Sequence, residues 1–133
     1  MRFAETDAQG IAHHANYPIW FEVARVAHLE RHAGGYQRLR DEGIEAIVLE
    51  VHARYIVPAR FDDVLVIHAR CSDVRGARFS YAYAVERDGE LVADGTTYHA
   101  TVDAVSLRPT RVPSWLLEAV AAAEGSWPSG SSP

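Results

Sequence analysis

Between residues 5 and 22 the chain reads ETDAQGIAHHANYPIWFE, and its polar residues fall where chemistry is easily built. Asp7 offers a carboxylate, His13 and His14 two imidazoles, and Asn16 and Tyr17 a carboxamide and a phenol, just ahead of an aromatic run. From Tyr17 to about Arg31 the residues Tyr17, Trp20, Phe21, Ala24 and Ala27 recur at helical spacing. Pro18 fits a helix only in its first turn, so the helix begins between His14 and Tyr17, with Asn16 a good N-cap. A helix start carries unpaired N–H groups and partial positive charge, which suit a polarised carbonyl or an oxyanion. A carboxylate a few residues upstream can act there as nucleophile or general base, which is acyl-transfer chemistry. The plainer role for Asp7 is to cap the helix or a turn, and spacing by itself favours that role.

Other chemistries are narrowed by what the chain holds. All 13 basic residues are arginine, so lysine Schiff-base chemistry is excluded. There is no G-x-S-x-G, G-x-G-x-x-G or G-x-x-x-x-G-K-[ST]. His13–His14 and the i, i+4 pair His28–His32 have metal-like spacing, but neither carries the glutamate of H-E-x-x-H, and packed or solvated histidines are the better reading. His52, His68 and His99 read as structural, with His52 and His68 on the outer face of a sheet. Cys71, alone in its kind, reads as a small buried hydrophobe in a reducing compartment. A net charge of −5 argues against a nucleic-acid binder, and no apolar run spans a membrane or marks a signal peptide, so the expectation is a cytoplasmic protein.

The elements that must hold these residues follow from the patterning. Ile19, Val23 and Val26 widen the apolar stripe of the first helix to most of its circumference, as in a helix buried on all sides, and Gly34–Gly35 stop it. A short polar helix spans about Tyr36 to Glu42. IEAIVLEVHARYIVP, DVLVIHARCSDV, ARFSYAYAVER and ELVADGTTYHATVDA then read as four strands, with turns at Arg75–Gly76 and Asp88–Gly89. Phe79, Tyr81, Tyr83 and Val85 share one face of the third. PSWLLEAVAAA makes a terminal helix capped by Ser114. The order is α+β, an antiparallel sheet wrapped over one long helix, in a single domain over 1–124 with a disordered tail over 125–133.

The run ETDAQGIAHHANYPIWFEVAR closely resembles the opening motif of the hotdog-fold 4-hydroxybenzoyl-CoA thioesterase family, and most of all its Tol-Pal-associated acyl-CoA thioesterase branch. That branch has an aspartate in a TDA-x-G turn, then H-x-N-Y, then F-E-x-A-R. YIVPARFDDVLVIHARC resembles its Y-x-x-P-A-x-F-D-D-x-L segment in the same order, and the likeness spans roughly residues 2–118. Family members carry a longer first strand before the motif, so here, with MRFAE alone, the expectation is a trimmed start or a short edge strand.

The resemblance implies an acyl-CoA thioester hydrolase. Asp7 falls on the catalytic carboxylate, and His14 on the residue whose backbone N–H meets the thioester carbonyl. Asn16 and Tyr17 are implied helix-entry and pocket residues, and Glu22 falls where some members contact the acyl group. Coenzyme A enters as part of the substrate, with no metal and no redox cofactor. The family's active site lies between subunits, which implies a homodimer or a homotetramer built as a dimer of dimers. Of the arginines suited to coenzyme A phosphates (Arg54, Arg60, Arg75, Arg78, Arg108 and Arg111), Arg75 and Arg78 rank first because they flank a turn between strands where, as the resemblance implies, the nucleotide end passes. Two alternatives are a non-catalytic acyl-CoA or lipid-binding hotdog module and an enoyl-CoA hydratase. Asp7 argues against the first, since a carboxylate repels the ligand's phosphates. TDAQGIAHHANY fits a hydratase motif poorly.

Overall fold

A computed structural model of the chain describes residues 16–60 and 62–122. Helix α1 (Asn16–Ala33) is followed by the short α2 (Gly35–Asp41). Four strands come next, β1 (Ile44–Tyr55), β2 (Val66–Arg75), β3 (Arg78–Arg87) and β4 (Glu90–Asp103), and helix α3 (Ser114–Ala122) is the last described element. Every pairing is antiparallel and the order across the sheet is β1-β4-β3-β2, so the first and second strands are the two edges among the described residues.

The turns form where the residues allow them. Gly34 ends α1 at φ 82°, a left-handed stop that a side chain resists. Asp88 and Gly89 both have positive φ (52° and 79°), the primed hairpin turn whose twist matches the strands it joins. β3 lies inside the sheet, and Phe79, Tyr81, Tyr83 and Val85 face α1, all at most 3% exposed. Phe21 of α1 stacks on Tyr83 with centroids 4.4 Å apart and rings within 8° of parallel. Gly95 of β4 makes room for this. A Cβ there would lie 2.5 Å from the Phe21 ring and 2.5 Å from the His52 carbonyl oxygen. Full burial of aromatic and aliphatic side chains such as Phe21 and Leu29 contributes about 1.5–3 kcal/mol each. α3 adds Leu116 and Val120 to this core, and its Trp115 lies beneath the Arg38 guanidinium at 3.9 Å and donates to Glu42 Oε2 at 2.6 Å.

α1 departs from the expectation of burial on all sides. Tyr17, Phe21 and Leu29 are buried, but Ile19, Val23 and Val26 are 53%, 64% and 38% exposed. The sheet of one chain can cover one side of a helix, so the opposite apolar flank stays open. The edge strand β1 is also apolar and open, with Ile47, Val48, Leu49 and Val51 exposed.

Candidate active site

Asp7, His13 and His14 lie outside the described residues, and the described part of the site is the helix that follows them in sequence. Asn16 opens α1, and Tyr17 in its first turn is 3% exposed. The Tyr17 ring packs edge-on to Tyr55 of β1 at 4.9 Å and against Trp20 at 4.8 Å. Burial, and next to it the Tyr55 phenol, raise the pKa of the Tyr17 hydroxyl, which therefore stays protonated and uncharged. The beginning of α1 is thus seated on the sheet in an apolar setting, where helix-end N–H groups act on charge more strongly than in water.

Ala59 of the loop between β1 and β2 joins the same buried cluster as Tyr17. Asp63 Oδ2 accepts from the Arg60 backbone N–H at 2.6 Å and from Arg87 Nη1 at 3.0 Å. The Arg60 N–H, and behind it Arg87, hold the Asp63 carboxyl below the usual carboxylate range against the opposing effect of burial. Sequence reasoning passed over Tyr55, Asp63 and Arg87. The P-A-R-F-D-D stretch resembles a family segment, but no periodicity marks which of its polar side chains pairs with Arg87.

A second polar system crosses the core. Arg25, 5% exposed, donates to the hydroxyls of Tyr36 (2.8 Å) and Tyr83 (3.0 Å). Tyr83 is 2.6 Å from Thr97 Oγ1, which is 2.7 Å from His99 Nε2. A guanidinium can only donate, so the arrangement that uses every hydroxyl proton runs from Arg25 to Tyr83 to Thr97 to His99. His99 Nε2 then accepts, and the ring proton sits on Nδ1. Burial, with the Arg25 charge as a second cause, lowers the His99 pKa to about 3, so the ring is neutral. None of this was legible from spacing, because Arg25, Tyr36, Tyr83, Thr97 and His99 come from four different elements.

The remaining candidates divide. Glu22 sits within the exposed stripe of α1 between Ile19, Val23 and Val26, facing away from its own sheet. Arg75 and Arg78 lie at the β2–β3 turn, on the face opposite α1, where they border a cavity of about 170 Å³ with Glu50, Asp73, Ser80 and Tyr98. Arg75 is 2.9 Å from Asp73. These arginines are not next to Tyr17. The Tyr17 end of the sheet is at Tyr55 and Ala93, the arginine end at Ala100, and the β4 residues between span roughly 23 Å. His52 and His68 lie on the outer face as the alternation indicated, His52 against Glu50 and edge-on to Tyr98, and His68 against Glu86. Cys71 is half-buried on the helix side, opposite Tyr81. The His28 and His32 rings lie 4.8 Å apart, tilted by 55°, with His28 Nδ1 2.8 Å from the Tyr81 hydroxyl. Among the described residues no three metal-ligating side chains cluster, and no helix is long and apolar enough to cross a membrane.

A family model for the thioesterase-like superfamily matches residues 1–120, and the chain belongs to that superfamily, a class of thioester hydrolases with the hotdog fold. Individual relatives agree. The acyl-CoA thioesterase YbgC of Haemophilus influenzae is 31% identical over 112 residues, 84% of this chain and 82% of its own length. A hypothetical protein from Aquifex aeolicus has a crystal structure that matches with TM-score 0.83 and 33% identity, covering 90% of this chain and 94% of that one. A DHNA-CoA thioesterase from Staphylococcus aureus matches with TM-score 0.82 at 26% identity, over 92% of this chain and 87% of its own.

Proposed function

We propose that this thioesterase hydrolyses acyl-CoA, releasing a carboxylic acid and free coenzyme A, with Asp7 and the start of α1 as its working parts. Asp7 either takes a proton from water as the water oxygen adds to the thioester carbonyl, or attacks that carbon itself to give a mixed anhydride that water then cleaves. In both routes the C–S bond breaks and the thiolate leaves to be protonated. The backbone N–H near His14 stabilises the oxyanion, and Asn16 and Tyr17 set the helix entry. The reading calls on no metal or redox cofactor, and the substrate is met in the cytoplasm. The observation that carries it is the burial of Tyr17 on Tyr55, which supports a helix start held fixed in a low-dielectric setting.

The active form in this reading is a dimer or a dimer of dimers. Edge strand β1, with Ile47, Val48, Leu49 and Val51 exposed, invites antiparallel pairing with a second copy. Such pairing brings the Tyr55 end of one β1 opposite the Ile47 end of the other. The partner's α1 start then approaches the end of the sheet that carries Arg75 and Arg78, so the roughly 23 Å along the strands between them in one chain closes between two, with the arginines on the other face. The stripe Ile19–Val23–Val26, with Glu22 within it, lies on the helix side of the sheet, away from the arginines, and supports a role in acyl-group contact. Arg75 and Arg78 are the proposed partners of the coenzyme A phosphates.

The test is thiol release from short-chain, long-chain and aromatic acyl-CoAs by wild type beside Asp7→Asn. Hydrolysis lost in the folded variant supports the assignment, and the panel gives the acyl preference. Near-wild-type turnover by the variant overturns the role of Asp7. A protein that binds coenzyme A and hydrolyses nothing is a binding module.

A further inference from the structure

We infer that Arg87 and Asp63 are positioning residues for the carbonyl-binding end of α1, an inference that rests on the acyl-CoA hydrolase reading. The segment between Pro58 and Asp63 leaves β1 without joining a described strand, and Asp62 within it takes a left-handed φ of 68°, as aspartate readily does in a turn. Hydrogen bonds hold the segment in shape. Arg87 Nη1 donates to the Pro58 carbonyl at 3.2 Å and to Asp63 Oδ2 at 3.0 Å, so one guanidinium nitrogen holds both ends of the segment. Asp63 closes the loop on itself by accepting from the Arg60 N–H at 2.6 Å while its own N–H donates to the Arg60 carbonyl at 3.0 Å. Arg87 Nη2 reaches Glu90 at 3.3 Å, which fastens the assembly to the β3–β4 hairpin.

What this clamp faces gives it a purpose. The Tyr17 phenol lies within electrostatic range of both Arg87 and Asp63, and Tyr17 belongs to the first turn of α1. On its other sides Tyr17 meets Tyr55, the last residue of β1, and Trp20. The first turn of α1 is therefore packed on a strand end, and it shares its buried cluster with Ala59 of a loop whose shape is set by one arginine. Ala59, 0% exposed in the same loop, shows that the segment is packed down rather than lying free. A partly exposed ion pair contributes little to folding. Displacing donors from a reacting carbonyl by a fraction of an ångström is costly to turnover. The pair should accordingly appear in catalysis far more than in stability.

The experiment measures kcat, KM and Tm for Arg87→Gln, Arg87→Lys, Asp63→Asn and the Arg87→Gln/Asp63→Asn double variant, on the preferred acyl-CoA, beside Asp7→Asn. The expected result for Arg87→Gln is a kcat lower by roughly tenfold or more, a KM within about twofold, and a Tm near wild type. Arg87→Lys should regain part of the loss, since an ammonium keeps the charge opposite Asp63 but not the fork that also reaches Pro58. The double variant should be no worse than either single change. A kcat for Arg87→Gln within about twofold of wild type, or a loss that follows Tm through the series, overturns the inference. Should Arg87→Gln fail to fold, the isosteric Asp63→Asn supplies the same comparison. Asp7→Asn separates the two levels. An inactive Asp7→Asn with a normal Arg87→Gln sinks this inference alone. An active Asp7→Asn sinks the carboxylate reading, and an impaired Arg87→Gln would then still support control of the helix start.

Discussion

His99 offers the sharpest check on the buried polar chain. In the folded protein its ring is 1% exposed and neutral, and Nε2 is committed to accepting from Thr97. Its pKa falls from 6.5 to about 3. In acid the unfolded chain binds a proton at this histidine that the folded one refuses, so stability rises with pH. The contribution is complete above about pH 6.5 and is lost as pH falls toward 3. At about 1.36 kcal/mol per unit, the difference between 6.5 and about 3 sets a ceiling near 5 kcal/mol, of which about 2 kcal/mol is already gone at pH 5. Against a total of about 5–15 kcal/mol for an ordinary domain, that is a visible loss. Urea unfolding of wild type and His99→Gln at pH 8 and pH 5, at one protein concentration, tests the reasoning. The amide still offers Thr97 an acceptor but does not titrate. The drop between the two pH values should shrink by about 2 kcal/mol in the variant, whatever its absolute stability. Equal drops in the two proteins would refute the buried neutral imidazole.

Gly95→Ala sets a Cβ 2.5 Å from both the Phe21 ring and the His52 carbonyl oxygen, and backbone cannot yield as a flexible side chain does. A loss of about 3 kcal/mol or more is expected, read as a lowered Tm, with a Tm within a degree or two refuting the close fit. Val51→Asp puts a charge on the open edge strand, and if the proposed dimer or tetramer is built through β1, light scattering should show the variant smaller than wild type, with turnover lost. An active variant of unchanged size would move the subunit interface elsewhere.

Much of this protein is written locally. Tyr17, Trp20, Phe21 and Ala24 at helical spacing, and Phe79, Tyr81, Tyr83 and Val85 at period two, mark α1 and the inner face of β3, because each periodicity is the geometry of its own element. Glycines at the turns, Asp88–Gly89 above all, mark where strands reverse. The motif residues Asp7, His14, Asn16 and Tyr17 are neighbours in sequence, and their assignment rests on the resemblance of that run to a family motif rather than on periodicity. Their meeting with the substrate is a separate matter, since Asp7 and His14 lie outside the described residues. What tertiary structure alone decided involves residues far apart in the chain. The last strand, β4, lies beside the first, leaving β1 as an open edge and α1 with an uncovered flank where the stripe had suggested burial on all sides. Arg25 meets Tyr83 across 58 positions, and Arg87 meets Asp63 across 24. Side-chain type and spacing report which face a residue takes within its element. They carry no information on which element lies opposite, because that depends on the free energy of the whole packed arrangement.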